Sequence, residues 1–265
     1  MARIPLSRVL TETPPEPEWL VPGLLCKGTM IVLAGGAGVG KSVLCYTLAM
    51  ALASGRPFLG RALAPTRVLY IDQENSLPDL TEYLHWVWRG LGEPSVAEID
   101  TRLRIEHFSL SAAGAGRYNR MRGMAAEHNP ELIVLDTTAP VCQLEDENDN
   151  AEASRAIREL RTVQSAAGNA CTILLLKHAK LVTQERADDE APVRHTIRGA
   201  KTWSGELDGT LFHVARPGRP RKDGLRPTQL EPDKIRAFGL QETLEITASW
   251  TREVRPRGIR LGVGK

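Results

Sequence analysis

Apolar and polar positions follow two regular patterns along the chain up to about residue 209. Short apolar runs that are rich in Val, Ile and Leu have the length and composition of strands buried on both faces of a sheet. The predicted strands are 29–34, 67–72, 103–108, 132–136 and 171–177. Between them apolar residues recur at helical spacing, and the predicted helices are 41–54, 78–91, 117–128 and 149–168. Strands that alternate with helices predict a mostly parallel sheet with helices on both faces.

The pattern changes to β structure after residue 209. Three further strands are predicted at 210–215, 226–232 and 242–249, with turn residues between them. The predicted fold class is therefore α/β, a twisted and mostly parallel sheet flanked by helices, with an antiparallel β extension at its C-terminal end.

Proline content and charge divide the chain into three parts. Residues 1–28 contain five prolines and few periodic apolar positions, which indicates a proline-rich N-terminal arm or linker. The segment Trp19-Leu20-Val21 is expected to attach this arm to the body or to a neighbouring subunit. Residues 29–250 form the predicted folded domain, and residues 251–265 are expected to be a basic C-terminal tail.

The composition is that of an ordinary soluble globular protein. Of 265 residues, 42% are hydrophobic and 25% are charged, and the formal net charge is +2. Residues 216–265 carry 12 basic and 6 acidic side chains, which permits contact with nucleic acid at that end. The four cysteines lack C-x-x-C spacing and are expected to be buried free thiols. No apolar run is long enough to span a bilayer and no signal core is evident, so we expect a cytoplasmic protein without a membrane partner.

The most specific motif lies between the first predicted strand and the first predicted helix. Residues 35–42 read Gly-Gly-Ala-Gly-Val-Gly-Lys-Ser and fit G-x-x-x-x-G-K-[ST], the Walker A phosphate-binding loop. A strand, a glycine loop and a helix in this order aim backbone N–H groups and a helix N-terminus at an anion. The predicted nucleotide-binding residues are Gly35, Gly36, Ala37, Gly38, Val39, Gly40, Lys41, Ser42 and Val43.

This loop predicts a site for ATP and Mg²⁺. We expect Lys41 to reach the β- and γ-phosphates and the Ser42 hydroxyl to ligate Mg²⁺. The metal also needs an acidic partner. Asp136 follows four apolar residues and emerges at the carboxyl end of its predicted strand, the end where ligands bind in such sheets. Asp136 is therefore the second predicted metal ligand.

Hydrolysis also requires a group that activates water. Two carboxylates end the second predicted strand, and Glu74 is favoured as the base because it lies beyond the strand end. Asp72, which lies nearer the strand, is expected to cap the turn that follows. His178 stands at the carboxyl end of the fifth predicted strand and is expected to sense the γ-phosphate.

These motifs, taken in order, resemble the RecA-like ATPases of the DnaB, RadA and RepA kind, and most closely the compact RepA-like hexameric helicases. The segments that carry the resemblance are 18–25, 35–42, 69–74 (Leu-Tyr-Ile-Asp-Gln-Glu), 132–136 (Leu-Ile-Val-Leu-Asp), 176–180 (Leu-Lys-His-Ala-Lys) and 198–200 (Arg-Gly-Ala). The resemblance implies a RecA-like P-loop fold and a homo-oligomeric ring, a hexamer, that moves along single-stranded DNA in replication or recombination.

A ring of this kind places each nucleotide between subunits, and a neighbour donates a basic finger to the γ-phosphate. DnaB-like members carry a Lys-x-Arg between two C-terminal strands, which corresponds to Lys234 and Arg236 here. RepA-like members point instead to an earlier position, Arg198. Both assignments remain open at the level of the sequence.

Other features of the sequence leave open which activity ATP hydrolysis would drive. The first loop expected to face DNA, residues 145–150, is strongly acidic and would repel phosphate, so Asp149 or Asn150 is expected to cap a helix instead. The second such loop, around 180–197, has mixed charge, and the basic stretches 216–226 and 252–265 are better candidates for contact with DNA. One alternative function is a nucleotide-switched DNA-binding or loader ATPase that does not unwind DNA. A second alternative is a P-loop kinase.

Overall fold

A computed structural model describes residues 5–13, 16–107, 116–168, 170–182, 194–216, 225, 227–235, 242–250 and 257–264. The helices in these residues are α1 (Leu6–Thr11), α2 (Lys41–Ser54), α3 (Leu77–Gly90), α4 (Val96–Asp100), α5 (Arg117–His128), α6 (Thr138–Cys142), α7 (Asn150–Ala166) and α8 (Thr202–Gly205). The strands are β1 (Trp19–Val21), β2 (Leu25–Cys26), β3 (Met30–Gly35), β4 (Val68–Asp72), β5 (Leu103–His107), β6 (Leu132–Asp136), β7 (Thr172–Val182), β8 (Arg194–Ile197), β9 (Gly209–Ala215), β10 (Thr228–Ile235), β11 (Leu244–Trp250) and β12 (Ile259–Val263).

The central sheet has the strand order β12-β11-β10-β9-β3-β7-β6-β4-β5. The strands from β9 to β5 pair in parallel, whereas β10, β11 and β12 extend the sheet in antiparallel fashion beside β9. This arrangement confirms the predicted mixed sheet with an antiparallel C-terminal extension. The parallel part brings the carboxyl ends of β3, β4, β6, β7 and β9 to a common edge.

Helices cover both faces of the sheet. Strands β3, β4 and β6 are buried at every residue, as strands covered on two faces must be. One face packs against α2 and α3, and the other packs against α5 and α7. Helix α2 is buried along most of its length, which explains why its apolar residues run all round its axis.

Both termini contribute more structure than the sequence pattern indicates. Within the expected arm, β1 and β2 pair as a small antiparallel sheet, and Val21 and Leu25 are buried in the core. Within the expected tail, residues 259–263 form β12, which pairs with β11. Ile259 is buried against the core, and these apolar contacts decide the structure although the surrounding composition is basic.

The four cysteines are free and buried, as expected. In the residues that the structure describes, no helix combines the length and apolar character that a membrane crossing requires.

Helix α3 fits against β12 only because a glycine stands at their contact. A Cβ atom added to Gly90 would lie 1.6 Å from the carbonyl oxygen of Ile259. We predict that Gly90→Ala lowers the free energy of unfolding by about 1–3 kcal/mol, the usual cost of overpacking. The matched control is Gly123→Ala in α5, where an added Cβ meets nothing within 4 Å and should stabilise the helix by about 0.5–1 kcal/mol. Urea denaturation measures both effects, and equal stability of the two variants would contradict the packing.

Candidate functional site

The phosphate-binding loop joins β3 to α2 at the centre of the sheet edge. Gly40, directly before α2, has a φ of 94°, a left-handed conformation that favours glycine. Gly35 faces a neighbouring strand so closely that an added Cβ would lie 2.4 Å from the carbonyl oxygen of His213. The loop therefore keeps its shape through backbone conformation and close packing, and the N-terminus of α2 opens toward it.

The side chain of Lys41 lies across the start of this loop. Its Nζ donates hydrogen bonds to the carbonyl oxygens of Gly35 and Gly36 at 3.1 and 3.0 Å. Burial lowers the pKa of the Lys41 ammonium, and the carboxylates of Glu74 and Asp136 oppose that shift. The cation is thus held beside two carboxylates at the point where the loop meets the sheet.

Asp136 ends β6 and is fully buried. Its Oδ2 accepts a hydrogen bond from the Tyr70 hydroxyl at 2.7 Å, and the Ser42 hydroxyl also donates to its carboxylate. Its Oδ1 is buried without a hydrogen-bond partner. Burial raises the pKa of Asp136 to about 7, against the opposing effect of the hydrogen bonds from Tyr70 and Ser42. A hydroxyl beside a carboxylate with an unpartnered oxygen fits Mg²⁺, which prefers oxygen ligands.

Asp72 ends β4 directly beside Asp136 in the sheet register. Its Oδ1 accepts the backbone N–H groups of Glu74 and Asn75, both at 3.0 Å. Its Oδ2 accepts hydrogen bonds from the Asn75 side chain at 3.1 Å and from the Tyr46 hydroxyl. The structure confirms that Asp72 caps the turn after β4, which fixes the backbone that carries Glu74.

Glu74 and His178 come together at the mouth of the site. The Oε1 of Glu74 lies 3.7 Å from the Nε2 of His178, and each side chain is about one third exposed. His178 aligns with Gly35 in the register of β7 and β3. The structure thus brings the start of the phosphate loop, the predicted base and the predicted sensor to one edge.

The finger candidates fall at different ends of the sheet. Arg198 is exposed, and its backbone N–H donates to the carbonyl oxygen of His178 at 2.8 Å, so it stands beside its own site. Lys234 pairs with Thr210 near the amino end of β9, away from the loop of its own chain. The Lys234 side chain and Arg236 lie outside the described residues.

His213 is a site residue that the sequence analysis missed. It lies on β9 in register with Gly35, and its imidazole is buried beside the loop. Its Nε2 forms a hydrogen bond with the Thr228 hydroxyl at 2.8 Å, while its Nδ1 has no partner. Burial, with a smaller contribution from Lys41, lowers the pKa of His213 to about 3. The sequence signal is one histidine within a largely apolar strand, which is not specific.

Hydrogen bonds within the protein hold the acidic loop before α7. Asp149 caps α7 by accepting the backbone N–H of Ala151 at 2.7 Å, which confirms one of the two predicted caps. The carbonyl oxygen of Glu147 accepts the backbone N–H of Ala200 at 2.7 Å. Gly199, with a φ of 106°, permits this approach, since an added Cβ would lie 2.5 Å from the same oxygen.

A cavity of about 1030 Å³ opens from the phosphate loop. It is lined by residues 36–44 with Glu74 and His213, and also by apolar and aromatic side chains of α3 and of strands β11 and β12. The site is therefore large enough for a whole nucleotide, since ligand pockets usually measure about 300–1,000 Å³.

Comparisons with known proteins agree with this arrangement. A family model described as an AAA domain matches residues 3–184. No curated protein matches the sequence. Among solved structures, a crystal structure of a KaiC-like protein from the hyperthermophilic archaeon Pyrococcus horikoshii is similar, with a TM-score of 0.53 and 15% identity over 91% of this chain and 93% of that one. This likeness bears on the fold alone, and it supports the RecA-like arrangement of the sheet.

The buried His213 predicts a specific dependence of stability on pH. The unfolded chain protonates His213 below its ordinary pKa of 6.5, whereas the folded protein does so only near pH 3. The free energy of unfolding should therefore fall as the pH is lowered below the ordinary pKa of histidine, because protons bind preferentially to the unfolded state. Between pH 6.5 and 5 we expect the wild type to lose about 2 kcal/mol relative to His213→Leu.

Urea denaturation at pH 7.5, 6.5 and 5 measures this difference. The matched control is His85→Leu at an exposed position of α3, which should keep the pH dependence of the wild type. If the free energies of unfolding of the wild type and of His213→Leu change in parallel with pH, His213 is not a buried neutral imidazole.

Proposed function

This chain belongs to the AAA domain family, and on that premise we propose that it is a Mg²⁺-dependent ATPase of RecA-like type. The observation that carries the proposal is the convergence of four groups on the phosphate loop, namely Lys41, Ser42, Asp136 and Glu74. A structural glycine turn would not need a buried lysine on the loop or a buried carboxylate with an unpartnered oxygen beside it.

In the proposed mechanism, the backbone N–H groups of the loop and the N-terminus of α2 hold the phosphates of ATP. Lys41 binds the β- and γ-phosphates, and Ser42 and Asp136 hold Mg²⁺. The metal supplies charge neutralisation at the phosphates. Glu74 accepts a proton from the attacking water, and His178 positions Glu74 through the contact between its Nε2 and the carboxylate.

We further propose that the ATPase acts as a homo-oligomeric ring, a hexamer, that binds single-stranded DNA and moves along it as a helicase or translocase. Support comes from the resemblance to RepA-like helicases and from the position of Lys234. Thr210, its partner in β9, aligns with Val32 of β3, three residues before Gly35. Three residues of strand span about 10 Å, so the backbone of Lys234 stands away from the loop of its own chain, and in this proposal Lys234 acts on the γ-phosphate of a neighbouring subunit.

A second candidate is a nucleotide-switched DNA-binding or loader ATPase without unwinding activity. The acidic loop favours it, because the carboxylates of residues 145–149 would repel the phosphates of DNA, and the carboxylate of Asp149 is already used to cap α7. Displacement of a strand from a forked duplex supports the helicase, whereas ATP-dependent binding without displacement supports the loader. ATP turnover without an added acceptor excludes the P-loop kinase as the principal activity.

Glu74→Gln tests the catalytic base. We predict a decrease in kcat of about 100-fold or more with ATP binding retained, because general-base catalysis contributes about 10²–10⁴-fold. Glu98→Gln, at an exposed position of α4, is the matched control and should leave kcat unchanged.

Lys41→Ala should abolish hydrolysis, and near-normal phosphate release by that variant would overturn the ATPase assignment at this loop.

Mixing inactive subunits separates a finger at Lys234 from one at Arg198. If Lys234 acts across an interface, a mixture of Lys234→Ala and Lys41→Ala subunits should regain ATPase activity, because some interfaces combine an intact loop with an intact lysine. A mixture of Arg198→Ala and Lys41→Ala subunits should stay inactive, because Arg198 stands beside its own site. Exposed Arg158 provides the control, and Arg158→Ala should remain active alone.

The mass of the assembly, measured with and without ATP and single-stranded DNA, accompanies this test. A protein that stays monomeric under every condition would rule out the ring and the role of Lys234 in a neighbouring site.

A further inference from the structure

Two buried tyrosines each donate a hydrogen bond to one of the aspartates at the sheet edge. The Tyr70 hydroxyl, on β4, donates to the Oδ2 of Asp136 at 2.7 Å. The Tyr46 hydroxyl, on α2, donates to the Oδ2 of Asp72. Neither tyrosine is more than 1% exposed. Two neighbouring carboxylates thus receive the same kind of donor from two different elements of the fold.

Packing holds both phenol rings in place. The rings of Tyr46 and Tyr70 stack, with centroids 4.7 Å apart and an interplanar angle of 29°. Tyr70 belongs to a strand that is buried at every residue, and Tyr46 belongs to the helix that begins at Lys41. Side chains in a close-packed interior occupy well-defined rotamers, so each hydroxyl oxygen has a defined position. The two donors are therefore fixed before any ligand binds.

The hydrogen bond from Tyr70 decides how Asp136 presents its other oxygen. The terminal torsion of an aspartate is broad, so a carboxylate without partners turns freely. In Asp136 the Oδ2 is held by Tyr70, while the Oδ1 is buried without a partner. The Ser42 hydroxyl donates to the same carboxylate, which therefore faces the start of α2. One held oxygen and one free oxygen beside a hydroxyl suit a metal ligand.

Asp72 shows the same kind of donor on a carboxylate that has no free oxygen. Its Oδ1 accepts the backbone N–H groups of Glu74 and Asn75. Its Oδ2 accepts from the Asn75 side chain as well as from Tyr46, so the carboxylate stays held when the Tyr46 hydroxyl is removed. Because only Tyr70 serves the predicted metal ligand, the two tyrosines form a matched pair for an experiment.

We propose that Tyr70 is a positioning residue for the metal site, and that its hydroxyl holds Asp136 so that the free carboxylate oxygen is presented to Mg²⁺ beside Ser42. This inference rests on the proposed function, because the loop must bind Mg²⁺ together with a nucleotide. Loss of a hydrogen-bond partner of a metal ligand typically lowers metal affinity by about 10–100-fold. Strand β4 then serves the metal through Tyr70 and the attacking water through Glu74, which follows it.

Isothermal titration calorimetry measures the effect without turnover. The affinity for adenylyl imidodiphosphate, an ATP analogue that resists hydrolysis, is compared in Mg²⁺ and in EDTA. Because metal and nucleotide binding are reciprocal, the ratio of the two affinities, which we name the magnesium ratio, reports how tightly the protein–nucleotide complex holds Mg²⁺. Tyr70→Phe should lower the magnesium ratio about tenfold or more and change the affinity in EDTA by less than about twofold. Asp136→Asn, which removes the ligand itself, sets the lower limit of the ratio.

Tyr46→Phe is the matched control. It removes the same hydroxyl from the ring that stacks on Tyr70, and its partner Asp72 keeps the other hydrogen bonds. The magnesium ratio of Tyr46→Phe should stay within about twofold of the wild type. An equal fall of the ratio in both variants would assign the effect to the ring stack and overturn the role of the hydrogen bond to Asp136.

The dependence of the ATPase rate on free Mg²⁺ separates positioning from a general structural defect. Tyr70→Phe should raise the Mg²⁺ concentration at half-maximal rate about tenfold, and kcat at saturating Mg²⁺ should stay within about threefold of the wild type. A damaged fold would instead lower kcat at every Mg²⁺ concentration and leave the half-maximal concentration unchanged, which would overturn the inference.

Infrared difference spectra of the wild type give a measurement that does not require the Tyr70 variant to fold. Addition of Mg²⁺ to the complex with the analogue should change the hydrogen bond between Tyr70 and Asp136 and so shift a tyrosine C–O band. The same shift should persist in Tyr46→Phe. A wild-type spectrum without a shifted tyrosine band, or a shift that disappears in Tyr46→Phe, would overturn the inference.

The outcomes separate this inference from the proposed function. If Mg²⁺ raises the nucleotide affinity of the wild type and Tyr70→Phe has the same magnesium ratio, the inference is wrong and the ATPase proposal stands. If the wild type binds the analogue equally well in Mg²⁺ and in EDTA, the metal site and the inference fail together. A selective fall of the ratio in Tyr70→Phe supports both.

Discussion

The register of β3 between β7 and β9 is the constraint on which the site depends. Parallel hydrogen bonding aligns Gly35 with His178 on one side and with His213 on the other. A shift by one residue would turn every side chain of β3 to the opposite face of the sheet. Burial of β3 on both faces prevents such a shift. The phosphate loop therefore leaves the sheet at one defined point, with His178 of β7 on one side of Gly35 and His213 of β9 on the other.

Burial also determines the electrostatics of this edge. Asp72 and Asp136 stand side by side in the sheet, and both are excluded from water. Asp72 is satisfied by two backbone N–H groups, whereas Asp136 keeps one oxygen without a partner. Two neighbouring carboxylates thus have different tasks, one holding the backbone that carries Glu74 and the other available to a cation. The two aspartates differ in role because their hydrogen-bond partners differ, and not because of the residue type.

The C-terminal strands connect this edge with the remainder of the protein. Strand β10 carries Thr228, which binds His213 beside the loop, and it carries Lys234 at its other end. Strand β12 packs against α3 at Gly90, so the wall of the cavity opposite the loop is fixed by the same extension. An extension that appears in the sequence as three ordinary strands and a basic tail therefore borders the candidate nucleotide site.

The sequence by itself determined the order of the main strands and helices, the phosphate loop, the position of Asp136 at the end of β6 and that of Glu74 just beyond β4. It placed His178 after the end of a strand at 171–177, whereas β7 continues through His178 to Val182 because its last residues pair with β8. These features are local, since apolar periodicity, glycine spacing and the polar residue that ends a buried strand can each be recognised within a few residues. Only the tertiary structure decided that His213 lies beneath the loop and that residues 259–263 complete the sheet. These outcomes depend on contacts between residues far apart in the chain, and the composition of a segment does not specify its distant partners.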